Sequence, residues 1–303
     1  MDLRHLRYFQ AVAEAGHMTR AAAALGIQQP PLSQQIKALE AELGLVLFHR
    51  HPKGVTLTEG GRVFLAETRR LLQDVDAMRE RMARIASGRL GTVNVGFTSS
   101  AAAHRFTPEA LRACRSRYPD IELVLSENNA AEITEALVAE RLHCGFLRVP
   151  VARPEGLVFE TLLSEPVVVA LALDHPLAAC DQPIALAQLR DQNLILARRP
   201  GAPGLYANLL ALCEAQGFRP RVVAEVDRMM TNLNLVAAGA GITVVPASMR
   251  GAHPDAIVYR PLLEGAQLEA PLTLVYREGD CTGATATLID LVRQIAAQQA
   301  AAR

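Results

Sequence analysis

Tryptophan is missing from this 303-residue chain altogether, and aromatic residues make up only 4% of it. A core here must therefore be built mainly from aliphatic side chains, the bulk of the apolar residues that supply half the composition. Net charge is absent too, with 31 Lys+Arg against 31 Asp+Glu, which is awkward for a polyanion binder unless the charge is unevenly spread. No apolar run approaches the roughly 18 residues of a membrane span, and no charged-then-apolar leader opens the chain. A cytoplasmic address and no membrane partner are the expectations. Cys114, Cys144, Cys180, Cys213 and Cys281 stand singly, without a Cys-x-x-Cys pair, so reduced thiols are expected rather than a disulfide framework. One thiol could still serve as a redox sensor. The histidines lack the spacing of a metal site, and none is expected.

Zero net charge conceals an uneven distribution. Residues 1–90 carry 13 basic and 9 acidic residues, and the remainder 18 and 22. A basic front and an acidic rear suit a chain whose front alone meets phosphate. The length suggests about two domains.

Leu3, Leu6, Phe9, Val12 and Ala13 recur at helical spacing, and Gly16 ends that helix. Thr19 is the expected cap of a short helix, Arg20 to Leu25. Pro30 and Pro31 fit only the first turn of the next helix, whose Leu32, Ile36, Leu39 and Leu43 form one stripe. Its other face offers Gln29, Ser33, Gln34 and Lys37. Two short helices joined by a tight turn describe a major-groove reader, but an ordinary helical hairpin fits equally well. The segment after Gly44 separates the two. Leu47–Arg50 and Val55–Leu57 flank His51-Pro52-Lys53-Gly54 and read as a β-hairpin whose tip carries Arg50 and Lys53. Such a wing would grip the sugar-phosphate backbone beside a recognition helix.

Thr58 caps a long helix in which Phe64, Leu71, Met78 and Ile85 repeat every seven residues, with Thr68, Val75 and Met82 as a second row. That seam, about 43 Å long at 1.5 Å per residue, is expected to pair two chains. Gly60 and Gly61 are expected to loosen its first turn. Ser87–Gly91 breaks it and marks a hinge. Beyond it, β-rich runs alternate with helical ones, so a parallel α/β sheet in two lobes is expected. The chain should cross between lobes near residues 148–152 and return near Tyr276. Ligands bind outside the C-terminal ends of such strands. Thr98, Ser99, Ser100, Asn128, Arg148, Arg199, Pro203 and Met229 fall there, with Arg148 or Arg199 suited to a carboxylate. Gly239-Ala240-Gly241 follows a helix and enters a strand, the wrong order for a dinucleotide loop. An α/β enzyme remains the weaker alternative, because no nucleophile–base set appears.

The N-terminal string Arg4-His5-Leu6-Arg7-Tyr8-Phe9, with Ala21-Ala22, Gln29-Pro30-Pro31-Leu32-Ser33, Leu39-Glu40, Leu43-Gly44 and Leu57-Thr58-Glu59-Gly60-Gly61, resembles the LysR-type transcriptional regulators. Gly145-Phe146-x-Arg148 and Leu235–Ser248 resemble the subgroup governing benzoate, muconate and chlorocatechol breakdown. The resemblance implies a winged helix-turn-helix at 1–58, a dimerisation linker helix at 59–89 and a periplasmic-binding-protein-like effector domain at 90–303. Lobe I would hold residues 90–150 and 277–303, and lobe II 151–276. It places Thr19, Arg20, Gln29, Pro30, Pro31, Ser33, Gln34, Lys37, Arg50 and Lys53 at operator DNA. It implies a homotetramer, RNA polymerase as a further partner, no cofactor, and an aromatic-pathway carboxylic acid as inducer. Two positions depart from the family's commonest pattern, Gln28 for Ser and Gln34 for Arg.

Overall fold

The computed structural model describes residues 1–148, 153–197, 204–280 and 282–301. Two compact units emerge, Met1–Ala83 and Arg84–Arg303. The division falls inside the long helix because its last turn is held by the second unit, where Arg84 pairs with Asp120.

The first unit opens with α1 (Leu3–Ala15), α2 (Met18–Ala24) and α3 (Gln29–Leu43). Asp2 caps α1 by accepting the amides of Arg4 and His5, and Gly16 ends it in the left-handed conformation. The cap of α2 is His17, not Thr19: the His17 Nδ1 accepts the Thr19 amide at 3.2 Å. An imidazole nitrogen serves as well as a hydroxyl, and starting α2 two residues earlier places Met18 in the core. Leu32, Ile36 and Leu39 of α3 are fully buried against Phe9, Val12 and Ala21.

The wing consists of β1 (Phe48–His51) and β2 (Gly54–Leu57), antiparallel, with Phe48 opposite Leu57. Gly54 sits at φ +140°, and a Cβ there would lie 2.3 Å from the Gly16 carbonyl oxygen, which accepts the Val55 amide. The wing is thereby seated on the corner between α1 and α2.

Next comes α4 (Glu59–Ala86), capped by Thr58, whose hydroxyl accepts the Gly61 amide at 2.9 Å. Its glycines have a packing role. A Cβ on Gly61 would lie 2.2 Å from the Leu47 carbonyl oxygen, so the glycine permits close packing of helix on wing. The heptad seam divides. Phe64 packs edge-on against Phe9 with centroids 4.8 Å apart, and Thr68 and Leu72 are buried. Leu71, Met78, Met82 and Ile85 stay exposed, and Val75 is half-buried. Phe64, expected at the pairing seam, thus belongs to its own domain's core.

The second unit begins with β3 (Gly91–Phe97), α5 (Ser99–Ala102), α6 (Phe106–Arg117), β4 (Ile121–Glu127), α7 (Ala130–Val138) and β5 (Cys144–Leu147). Then come β6 (Leu157–Glu165), β7 (Val167–Ala172), β8 (Asn193–Ala197), α8 (Gly204–Ala215), β9 (Arg221–Val226) and α9 (Met229–Ala237). The remainder is β10 (Thr243–Pro246), β11 (Ile257–Pro261), β12 (Ala270–Arg277) and α10 (Gly283–Ala301).

One lobe is the sheet β4-β3-β5-β12-β6, and the other carries β10-β7-β11 and β8-β9, joined by a parallel bridge from Leu194 to Ile242. The expected wholly parallel sheet is corrected. β3 runs parallel to β4 and β5, but β12 is antiparallel to β5 and β6, and β7 to β10 and β11. The crossing points move as well. β6 and β12 belong to the first lobe's sheet, so the chain passes over between Glu165 and Val167 and returns between Pro261 and Ala270. A strand re-entering a sheet from another lobe can run opposite to strands laid down by helical crossovers. Within the sequence β6 has no clear alternation, and only pairing with β12 marks it as a strand. Each lobe keeps an aliphatic core, around Val95, Phe146 and Leu274 in one and around Val169, Leu196 and Leu209 in the other. No helix among the described residues is long and apolar enough to cross a membrane.

Candidate DNA-reading face and effector cleft

α3 presents Gln29, Pro30, Pro31, Gln34 and Lys37 to solvent, with Ser33 half-buried beside them. Thr19 and Arg20 on α2 are exposed, as are Arg50 and Lys53 on the wing. Side-chain amides and a hydroxyl on one helix, with cations alongside, can read base edges and bind phosphate. The two prolines need no partner for the amide each lacks in a first helical turn.

A residue outside the expected set organises this face. Glu40, at the back of α3, accepts the backbone amides of Leu47 at 2.8 Å and Phe48 at 3.1 Å. Its other oxygen lies 3.9 Å from Arg50, and Arg50 Nη1 reaches toward Ser33 Oγ at 3.4 Å. Glu40 thus locks the first wing strand to the recognition helix, and Arg50 bridges the two over its face. Within the sequence Glu40 shows only as an acid adjoining the buried stripe of α3. Arg20 donates to the Ala15 carbonyl at 2.7 Å, which holds its guanidinium near the α1–α2 corner.

In the second unit the C-terminal ends of the parallel strands β3, β4 and β5 lie side by side, and α5, which follows β3, packs near α9, which follows β9 in the other lobe. Thr98 caps α5, accepting the Ala101 amide at 3.3 Å, and its hydroxyl stands 3.3 Å from that of Ser100. Ser99 is half-buried. Asn128 accepts the Ser126 hydroxyl at 2.8 Å, and its amide donates to the Phe97 carbonyl, tying the ends of β3 and β4. Met229 begins α9 and packs toward the second lobe's core. Arg199 and Pro203 lie outside the described residues.

Arg148 departs from the simple expectation of a guanidinium waiting for a ligand. It is buried and ion-paired with Glu165, also buried, and donates to the Ala270 carbonyl at 2.7 Å and the Ser100 carbonyl at 3.3 Å. Glu165 in turn accepts the Ser248 amide at 2.7 Å and the Ser248 hydroxyl at 2.8 Å. Burial pulls the Arg148 pKa below its ordinary value, opposed by the Glu165 charge. The carboxylate that Arg148 satisfies is the protein's own. The pair joins the end of β5, the crossing after β6, the turn after β10 and the start of β12, so it ties the two lobes together where the chain passes between them. Glu165 and Ser248 are absent from the expected set, since β6 is not legible as a strand in the sequence. Of the three guanidinium nitrogens only Arg148 Nε remains without a partner.

A separate ion pair spans the lobes. Arg228 of the second, just before α9, donates to Glu127 of the first at 3.0 Å, with both side chains partly exposed.

Two family models match this chain. "Bacterial regulatory helix-turn-helix protein, lysR family" covers residues 3–62, and "LysR substrate binding domain" covers residues 86–297. The chain belongs to the LysR family of transcriptional regulators. Similar relatives include the uncharacterized HTH-type transcriptional regulator YnfL of Escherichia coli K12, 39% identical over 87% of this chain and 88% of its own. Another is the HTH-type transcriptional regulator CatR of Pseudomonas putida, 35% identical over 97% and 99%. Among solved structures, full-length CbnR complexed with its target DNA matches at a TM-score of 0.81 and 30% identity, covering 98% of this chain and all of that one. This LysR-family protein is a DNA-binding regulator and not an enzyme, which sets aside the α/β-enzyme alternative.

Proposed function

We propose that this LysR-family regulator senses a small organic acid of an aromatic degradation route and controls transcription of the corresponding catabolic operon. The observation that carries the reading is the group of polar side chains at the strand ends where the two lobes meet. Thr98, Ser99 and Asn128 follow β3 and β4 there, and the buried Arg148–Glu165 pair follows β5 and ends β6. A ligand gripping both lobes there would shift their relative populations, since it binds one arrangement better than the other. Arg148 then acts by positioning the connecting strands. The similarity to CatR supports the catabolic reading.

At the other end, Ser33 and Gln34 would read bases. Thr19, Arg20, Gln29, Lys37, Arg50 and Lys53 would position the protein on the backbone, with Pro30 and Pro31 shaping the helix entry. The exposed row Leu71, Met78, Met82 and Ile85, with Val75, would pair two chains into a dimer able to read two half-sites. Two dimers would form a homotetramer that engages RNA polymerase. Operator fragments selected from the source genome by the purified protein, footprinted with and without benzoate, cis,cis-muconate and acetate, test this. An acid-dependent change in the footprint is the expected result.

Thiol sensing has less support among the described cysteines. Cys114, Cys144 and Cys213 are buried, and desolvation pushes the Cys144 thiol to about 12 and the Cys213 thiol to about 11. Thiols held neutral in this way are poor nucleophiles.

A further inference from the structure

We infer that Arg228 is the acceptor for the effector's carboxylate and that Glu127 occupies it in the free protein, as a built-in competitor that also latches the lobes together. The inference rests on the acid-sensing reading above. Three observations carry it. First, Arg148 is engaged: it is 6% exposed and spends both Nη atoms on Glu165 and on the Ala270 and Ser100 carbonyls, leaving only the buried Nε unpartnered. An incoming anion would have to displace a buried internal carboxylate that two Ser248 donors also hold. Second, Arg228 is accessible, at 41% exposure, and immediately precedes Met229 at the start of α9, the helix that packs near α5. Third, its partner is a carboxylate from the opposite lobe. Glu127 ends β4, next to Asn128, whose amide is bonded to Phe97 just before Thr98. The ion pair therefore sits where the expected effector residues converge, and its anion belongs to the chemical class proposed for the ligand.

The consequence is an exchange of one carboxylate for another at a single guanidinium. In the free protein the 3.0 Å pair ties the end of β4 to the start of α9. When an acid takes Arg228, Glu127 is released and the ligand replaces it as the link between lobes. Because both side chains are partly solvated, the latch is weak and easily displaced, as a reversible sensor requires.

The two partners must then act with opposite sign. Glu127→Gln removes the competitor and keeps the acceptor, so the full-length protein should bind benzoate about twofold to fivefold more tightly than wild type. Arg228→Gln removes the acceptor, and affinity should fall about tenfold or more. Isothermal titration with benzoate and cis,cis-muconate reads both, with benzamide as the uncharged control. A purely structural pair would move both variants in the same direction, and that result, or no change in either, overturns the inference while leaving acid sensing intact. If wild type binds neither acid, the sensing reading fails and the acceptor role falls with it. Hydrogen exchange of the ligand-free protein then decides the latch alone. Glu127→Gln and Arg228→Gln should each speed exchange at residues 97–103 and 228–237, and the swap Glu127→Arg/Arg228→Glu should restore protection. Unchanged exchange in both single variants overturns the latch.

Discussion

Replacing Arg148 by methionine tests whether the strands joining the lobes are held by a compensated buried charge pair. The substitution keeps most of the side-chain volume but withdraws the donors to the Ala270 carbonyl, at 2.7 Å, and the Ser100 carbonyl, at 3.3 Å. More important, it leaves the Glu165 carboxylate buried with only the Ser248 amide and hydroxyl as partners. Removing one member of a buried pair costs about 3–5 kcal/mol, because the other charge loses its compensation. Replacing both members, Arg148→Met with Glu165→Met, removes the stranded charge. The remaining loss is of hydrogen bonds at Ser248 and at two carbonyls, with a net cost of about 1–3 kcal/mol. The double variant should therefore be more stable than Arg148→Met alone, although it carries one more substitution. Urea unfolding followed by far-ultraviolet circular dichroism suits a chain without tryptophan and reports the midpoints directly. Operator binding should survive in both variants, because the DNA-reading face lies in the other unit. If the double variant were less stable than Arg148→Met, the uncompensated-charge argument would be refuted, and the pair would count simply as a set of hydrogen bonds.

Four further outcomes are expected. Ser33→Ala or Gln34→Ala should each weaken operator binding by about 1–3 kcal/mol in competition assays while sparing random DNA; equal losses on both would exclude base reading by that residue. Lys53→Ala should lower affinity for all sequences and flatten the salt dependence by about one unit of slope, measured by titration across salt concentrations. Gly61→Ala should destabilise the N-terminal unit by about 1–3 kcal/mol in thermal melts, because the new methyl carbon would lie 2.2 Å from the Leu47 carbonyl oxygen. Iodoacetamide at mildly alkaline pH, with peptide mass spectrometry as the readout, should label exposed Cys180 and leave Cys114, Cys144 and Cys213 largely unmodified. The sign comes from the thiol pKa values: those raised by burial keep the unreactive neutral form at that pH, and labelling should rise only as pH approaches them.

Helix periodicity, the paired prolines and the Pro-Lys turn are enough to read the order α1, α2, α3 and wing, since each is a local property of a short segment. The same holds for most strands and helices of the effector unit, where β-rich runs and helical stripes alternate cleanly. The candidate effector positions Thr98, Ser99, Ser100, Asn128, Arg148 and Met229 can be named because strand ends are visible in sequence and ligands gather beyond them. Sequence does not supply partnership. A heptad pattern is the same whether its apolar residues meet another chain or their own domain, so only the fold assigns Phe64 to the Phe9 cluster and leaves Met78 and Met82 in solvent. Strand direction in β12 depends on a route through the second lobe, which no local pattern records. Charge is the clearest case. Arg148 and Arg228 are alike as letters, and only the packing around them decides which is spent on an internal carboxylate and which stands, half-exposed, where a ligand could exchange for one. The residue types and their spacing determined a LysR-family regulator with a reader and a sensor. Long-range pairing, such as Arg148 with Ala270 and Arg228 with Glu127, decided how the sensor's lobes are joined, because such partners are distant in the chain and meet only once it has folded.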